Sequence, residues 1–152
     1  MTSAVLDRFD HAILEILARD GRVSITDLAS EIGLSKTPTQ MRLRRLERDR
    51  VITGYRAILD PIRIGRDHVA FVEVKLNDTR EAALAAFNAA VRAVPEIEQC
   101  HMLAADFDYL LKVRAQDMRD YRRVLAEDIS TLPNVAHTST YVAMQAVKEG
   151  ML

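Results

Sequence analysis

The sequence predicts an α+β fold in two parts: three helices and a hairpin, followed by a β-α-β-β-α-β segment. Three observations predict it. Apolar residues recur at helical spacing three times before residue 50, each run bracketed by capping residues. From residue 68 the apolar period alternates between two and about 3.6. Between these parts, residues 60–67 carry Pro61 and Gly65 and read as a linker.

In the first part, Leu6, Phe9, Ile13, Ile16 and Leu17 form one helical stripe, and Gly21 ends it. Ser24 caps a short second helix with Leu28 and Ile32 inward, and Gly33 supplies a left-handed stop. A third helix starts at Thr37, whose hydroxyl is a good N-cap, with Pro38 at the first helical position and Gln40 at capping-box spacing. Only Gly33 to Lys36 separate the second and third helices, the tight connection of a helix-turn-helix, and Ala29 lets the two cross closely. Val51 to Leu59 reads as two short strands about Thr53-Gly54, a hairpin that makes the unit winged.

In the second part, His68 to Leu76 is a strand of period two. Asp78 or Thr79 caps a helix with Leu84, Phe87, Val91 and Val94 on one stripe, ended by Pro95. Ile97–Ala104 and Phe107–Ala115 are strands about a short turn; Phe107, Tyr109, Leu111 and Val113 share a face. Asp117 caps a helix with Met118, Tyr121, Leu125 and Leu132 inward, closed by Pro133, and Val135–Val147 is the last strand. This order is ferredoxin-like, with both helices on one face of an antiparallel sheet. On the other face Val69, Phe71, Leu110, Val142 and Met144 need cover, and a second copy of the chain supplies it most simply. The expected domains are 1–59, a helix-turn-helix, and 68–152, an oligomerisation domain.

Length and composition exclude several classes. A chain of 152 residues holds one large domain or two small ones, and its 49% hydrophobic content suffices for cores. No apolar run approaches a membrane span and no signal peptide is apparent, so a cytoplasmic protein is the simplest reading. A single cysteine, Cys100, excludes an internal disulfide framework and reads as a buried, inert thiol. Four scattered histidines show no metal-ligand spacing, and no phosphate loop or nucleophile motif is present. No catalytic residue and no metal site are expected.

The net charge of −1 conceals a division. Residues 35–56 hold seven basic side chains against two acidic, a net of +5, whereas residues 61–152 hold 11 against 13, a net of −2. A local basic stripe on a balanced chain is the footprint of nucleic-acid binding. On the third helix Thr39, Leu43 and Leu46 share one face, with Met41, Arg44, Arg45 and Arg48 roughly opposite. Arginines opposite an apolar stripe are also an ordinary solvated face. The capped helix before them and the wing after them favour double-stranded DNA. The expected contacts are Lys36, Thr37, Thr39 and Gln40 near the helix N-terminus, with Arg42, Arg44, Arg45 and Arg48 supplying charge and guanine readout. Thr37 and Thr39 serve equally as cap and packing residues. Asp106 and Asp108 are spaced as a carboxylate pair, or as a turn aspartate plus an edge-strand residue.

An ordered set of segments resembles the leucine-responsive, feast/famine or Lrp/AsnC, regulator family: Leu6-Asp-Arg-Phe-Asp10, Leu34-Ser35, Thr37-Pro38, Arg44-Arg-Leu-Glu47, Ile52-Thr-Gly-Tyr55, Phe87-Asn88, Gln99-Cys-His101, Asp106-Phe-Asp-Tyr-Leu-Leu-Lys112, Tyr121-Arg122 and Thr140-Tyr-Val142. Within that family it is most similar to leucine-responsive proteins and to activators of proline catabolism. The resemblance implies a transcription regulator of amino-acid metabolism genes, binding palindromic or repeated half-sites as a homodimer or octamer. It implies an amino-acid effector, leucine or proline, and no other cofactor. His101, Leu103, Asp106, Asp108, Thr138 and Thr140 are then expected around that effector, with a structural histidine at His101 and plain strand residues at Thr138 and Thr140 as the alternatives. Ala105 stands where the family usually has glycine, so its methyl group narrows the pocket or changes which amino acid fits. Two rivals remain at this point: an enzyme, since siroheme decarboxylases resemble the family in fold, and an architectural DNA organiser indifferent to small molecules.

Overall fold

A computed structural model describes residues 5–149; the ends of the expected domains, 1–4 and 150–152, lie outside the described residues. The chain divides into two compact units, with the boundary along the sequence between Ile58 and Leu59.

In the first unit, α1 (Arg8–Arg19), α2 (Ile25–Ile32) and α3 (Lys36–Arg48) enclose a core of Ile13, Ile16, Leu28 and Leu46. Asp7 caps α1: its carboxylate accepts from the Phe9 and Asp10 N–H groups, and the Asp10 carboxylate accepts from the Asp7 N–H in return. Helix α1 ends at Arg19, before Gly21. Ser24 caps α2 by accepting from the Asp27 N–H at 3.1 Å, and Gly33 closes it at φ +72°, a conformation that costs other residues energy.

Helix α3 departs from the sequence reading. It begins at Lys36 with Ser35 as its N-cap, so Thr37 is already inside the first turn and makes no capping box with Gln40. Both Ser35 and Thr37 are cap-type residues. The earlier one wins because the buried Thr39 donates its hydroxyl back to the Ser35 carbonyl at 2.9 Å, drawing that turn into the helix.

The expected wing strands are absent from residues 51–59. Val51 and Ile52 donate their N–H groups to the Leu46 carbonyl and pack on the first core instead. Residues 53–59 are exposed throughout, and a two-stranded ribbon with no apolar face to bury is not self-supporting.

The second unit is a four-stranded antiparallel sheet, β1 (His68–Leu76), β2 (Ile97–Met102), β3 (Tyr109–Ala115) and β4 (Val135–Val142), in the order β2-β3-β1-β4. Helices α4 (Glu81–Val91) and α5 (Met118–Val124), the latter running into a π-helical turn Leu125–Ile129, cover one face. Ala70, Val72 and Val74 of β1 and Tyr109, Leu111 and Val113 of β3 alternate into that core with Phe87, Val91, Tyr121, Val124 and Ile129. Asp117 caps α5 as expected, accepting from the Asp120 N–H at 2.7 Å. Arg80, with no side-chain capping bond, precedes α4, because Asp78 turns to accept from the Arg80 N–H and guanidinium.

Register corrects two assignments to the open face. Val142 pairs with Ala70 and so points to the helix side; Met144 lies beyond the strand and is fully exposed. Met118, expected inward, is half exposed at the first position of α5. The open face carries Val69, Phe71, Leu110 and Tyr141, beside an ionic cluster in which Lys112 and Arg114 both pair with Glu98 and Glu149.

Candidate nucleic-acid interface and ligand site

The third helix presents Lys36, Thr37, Gln40, Met41, Arg44 and Arg48 to solvent, a stripe that follows the i, i+4, i+8 line. Met41 is 68% exposed in the middle of it. Lys36 and Arg44 make no salt bridge among the described residues, while Arg48 pairs with the adjacent Asp49 at 2.9 Å. This stripe offers cations, a short hydroxyl, an amide and one apolar contact, the groups that meet phosphates and base edges in a major groove.

Three expected DNA contacts are placed differently. Thr39 is fully buried on the inner face of α3, so it packs within the unit and does not face solvent. Its place is dictated by the helical phase, since Thr39 lies on the Leu43 and Leu46 side. Arg42 and Arg45 turn back onto α1. Arg42 donates through Nη1 to Asp7 at 2.7 Å and to Asp10 at 2.9 Å; Arg45 donates through Nη2 to Asp10 at 2.5 Å. Asp10 has no exposed surface, and its carboxylate is shared by both guanidinium groups and the Asp7 N–H. Burial works to raise the Asp10 pKa, but the Asp7 N–H and the two arginines outweigh it and hold the carboxyl below its ordinary value. The Arg42 guanidinium also lies over the Phe9 ring, 5.2 Å from its centroid. Arg42, Arg45, Arg48, Met41 and Asp7 line one notch of about 420 Å³ beside the exposed stripe. Asp10 was not singled out in the sequence reading, although the Asp7-x-x-Asp10 spacing of a capping box was legible there.

The residues expected around an effector do not form one cavity within a single chain. Leu103, Ala105 and Asp106 are exposed in the β2–β3 turn. His101 pairs with Leu110 and projects from the open face on the edge strand β2. Thr138 and Thr140 pair with Val74 and Val72, so they sit on the helix face of the opposite edge strand β4, where the Thr140 hydroxyl bonds the Tyr121 hydroxyl at 2.6 Å. Two strands stand between β2 and β4, which separates them by roughly 14 Å at ordinary strand spacing. Asp108 is already engaged: its carboxylate accepts from the Leu76 N–H at 2.8 Å and from Lys75 Nζ at 3.4 Å. Its own N–H and carbonyl bond Val74 and Leu103, so Asp108 fixes the turn that displays Leu103 to Asp106.

A separate cleft of about 380 Å³ opens between α4 and β2, lined by Asn88, Arg92, Gln99, Cys100, Met102 and Tyr109. Burial pushes the Cys100 thiol up, consistent with an unreactive group. The described residues hold no cluster of potential metal ligands, and no helix among them is long and apolar enough to cross a membrane.

The model of the AsnC-type helix-turn-helix domain matches residues 6–47, and that of the Lrp/AsnC ligand binding domain matches residues 69–152. The chain belongs to the Lrp/AsnC family. It is 60% identical over 144 residues to a proline dehydrogenase transcriptional activator of Rhizobium radiobacter, covering 95% of this chain and 92% of that one. It is 54% identical to a protein of the same name from Rhodobacter capsulatus, covering 95% and 94%. In structure it is similar to an AsnC family transcriptional regulator from Agrobacterium tumefaciens, with a TM-score of 0.89, 31% identity, and 95% and 94% coverage. It is also similar to a transcriptional regulator of Neisseria meningitidis in complex with L-Met, with a TM-score of 0.88, 28% identity and the same coverage. As an Lrp/AsnC protein the chain is a DNA-binding transcription regulator with an amino-acid-responsive domain, not an enzyme. That places the exposed stripe of α3 in the DNA-binding domain and the β2–β3 turn in the ligand-binding domain.

Proposed function

We propose that this regulator activates proline-catabolism genes in response to proline. The observation that carries the reading is the 60% and 54% identity to two proline dehydrogenase transcriptional activators over nearly their full length. The contact set proposed for DNA is Lys36, Thr37, Gln40, Met41, Arg44 and Arg48. Arg42 and Arg45, tied to Asp10, are outside it.

The open sheet face, with its apolar centre and ionic rim, is proposed to pair with a second copy about a twofold axis. Proline would then be held between chains, where the β2–β3 turn of one copy meets groups of another. Free N–H groups of the turn suit its carboxylate, and Asp106 suits its ammonium. Ala105 beside them favours a compact effector. Proline binding shifts the population of assemblies and hence the spacing of paired DNA-binding heads.

A thermal-shift panel of the twenty amino acids tests the effector. A ligand that prefers the folded state raises its melting temperature, so proline should stand above the others in a dose-dependent way. A flat response to proline, with another amino acid active, would reassign the effector; no response to any would remove amino-acid sensing.

A further inference from the structure

The geometry around Asp10 bears on how strongly this regulator binds DNA of any sequence. A carboxylate with no exposed surface holds two α3 guanidinium groups, and those groups line the same notch as Arg48 and Met41 of the exposed stripe. The Arg42 and Arg45 side chains are themselves 26% and 40% exposed, so each has open water within reach if released. Arg42 has a second acidic partner in Asp7, whereas Asp10 is the acid that Arg45 contacts.

We infer that Asp10 is a positioning residue that limits the overall affinity and salt dependence of DNA binding: it withholds Arg45, and in part Arg42, from DNA phosphates, so that binding depends on the exposed stripe of α3. The inference rests on the assignment of that stripe to DNA. Phosphate contacts strengthen binding to every sequence alike, because the backbone carries no base information. A guanidinium free to swing from the notch onto a phosphate raises affinity for operator and random DNA alike and steepens the salt dependence of both. Asp10 lets α3 carry two arginines next to its exposed stripe, where they hold α3 to α1, while keeping them off the phosphates.

The sign of the effect separates this from a purely structural role. Loss of a structural clamp alone weakens all binding. Loss of a withholding group strengthens binding to random sequence. The test is Asp10→Asn, which keeps the shape and an oxygen acceptor but removes the charge. Fluorescence anisotropy is measured on a random-sequence duplex and on an operator duplex across a salt series, with circular dichroism melting to establish the folded fraction.

One released guanidinium per head should steepen the slope of log affinity against log salt by about 0.9, which is about an eightfold gain on random DNA at 0.1 M salt. The gain should disappear in the double variant Asp10→Asn/Arg45→Gln. The single variant Arg45→Gln should leave the wild-type slope unchanged, since Arg45 touches no phosphate while Asp10 holds it. An Asp10→Asn protein that melts as folded and shows an unchanged or shallower slope overturns the inference. If that variant does not fold, Arg45→Gln decides alone: a slope reduced by about 0.9 means that Arg45 already contacts phosphate, and the inference falls. A wild-type chain that binds neither duplex refutes the underlying DNA assignment as well, which distinguishes the two failures.

Discussion

Arg44→Ala is the most direct probe of the reading face. Arg44 is exposed at the centre of α3 and makes no ion pair among the described residues, so its removal breaks none. Alanine on a helix surface is also the most favourable replacement for the helix itself. The melting temperature should therefore hold. DNA binding should not. If Arg44 meets one phosphate, the salt slope falls by about 0.9 per head, an affinity loss of about eightfold at 0.1 M salt, or about 1.2 kcal/mol. If Arg44 instead reads a guanine, the loss is about 1–3 kcal/mol and confined to operator DNA, with the salt slope little changed. Anisotropy titrations on operator and scrambled duplexes between roughly 50 and 200 mM salt separate the two patterns. A folded Arg44→Ala protein with unchanged affinity and slope on both duplexes would refute the assignment of this face to DNA.

Three further outcomes follow from the ligand-binding unit and the end of α3. Phe87 has no exposed surface and its ring lies 4.4 Å from that of Tyr109, so Phe87→Ala should destabilise the second unit by about 3–5 kcal/mol in urea unfolding; a loss below about 1 kcal/mol would contradict the packing described. Asp108→Ala leaves the Leu76 N–H without its acceptor and should cost about 1–3 kcal/mol in the same assay, whereas an unchanged midpoint would mean that Asp108 does not anchor the turn. Tyr55, whose hydroxyl donates to Glu47 at 2.8 Å, has its pKa pushed up to about 12 by partial loss of water around the hydroxyl and by that carboxylate, although the residue as a whole is half exposed. Its contribution to stability is complete below the ordinary value of 10.0 and is lost as the pH rises toward about 12. Tyrosinate absorbance should show a late-titrating group that Tyr55→Phe removes; an unaltered titration curve would contradict it.

Much of the architecture was legible in local pattern. His68–Leu76 alternates so regularly that its ends are recovered, and Ser24 with Gly33 bounds α2 through its own caps. What was not legible depends on partners distant in sequence. Ser35 and Thr37 are equivalent as cap residues until Thr39 is known to be buried. The Val51–Leu59 run has strand composition, but whether it pairs depends on a surface to cover, and Val51 and Ile52 are taken by the first core. Asp10 reads as a polar residue on α1; its partners Arg42 and Arg45 lie 32 and 35 residues away. The carboxylate pair Asp106 and Asp108 divides in the same way, one exposed in the turn and the other consumed by the end of β1. His101 and the β4 threonines, grouped by resemblance, are separated by the strand order, so a single chain does not bring them together.

In vitro transcription from a proline dehydrogenase promoter, with the purified chain and proline as the only variables, decides whether this chain is a proline-responsive activator. The transcript should rise when both are present, with a footprint on the promoter that changes with proline but not with an equal concentration of leucine. Transcription and footprint indifferent to proline, from a folded chain that binds the promoter, would contradict that assignment.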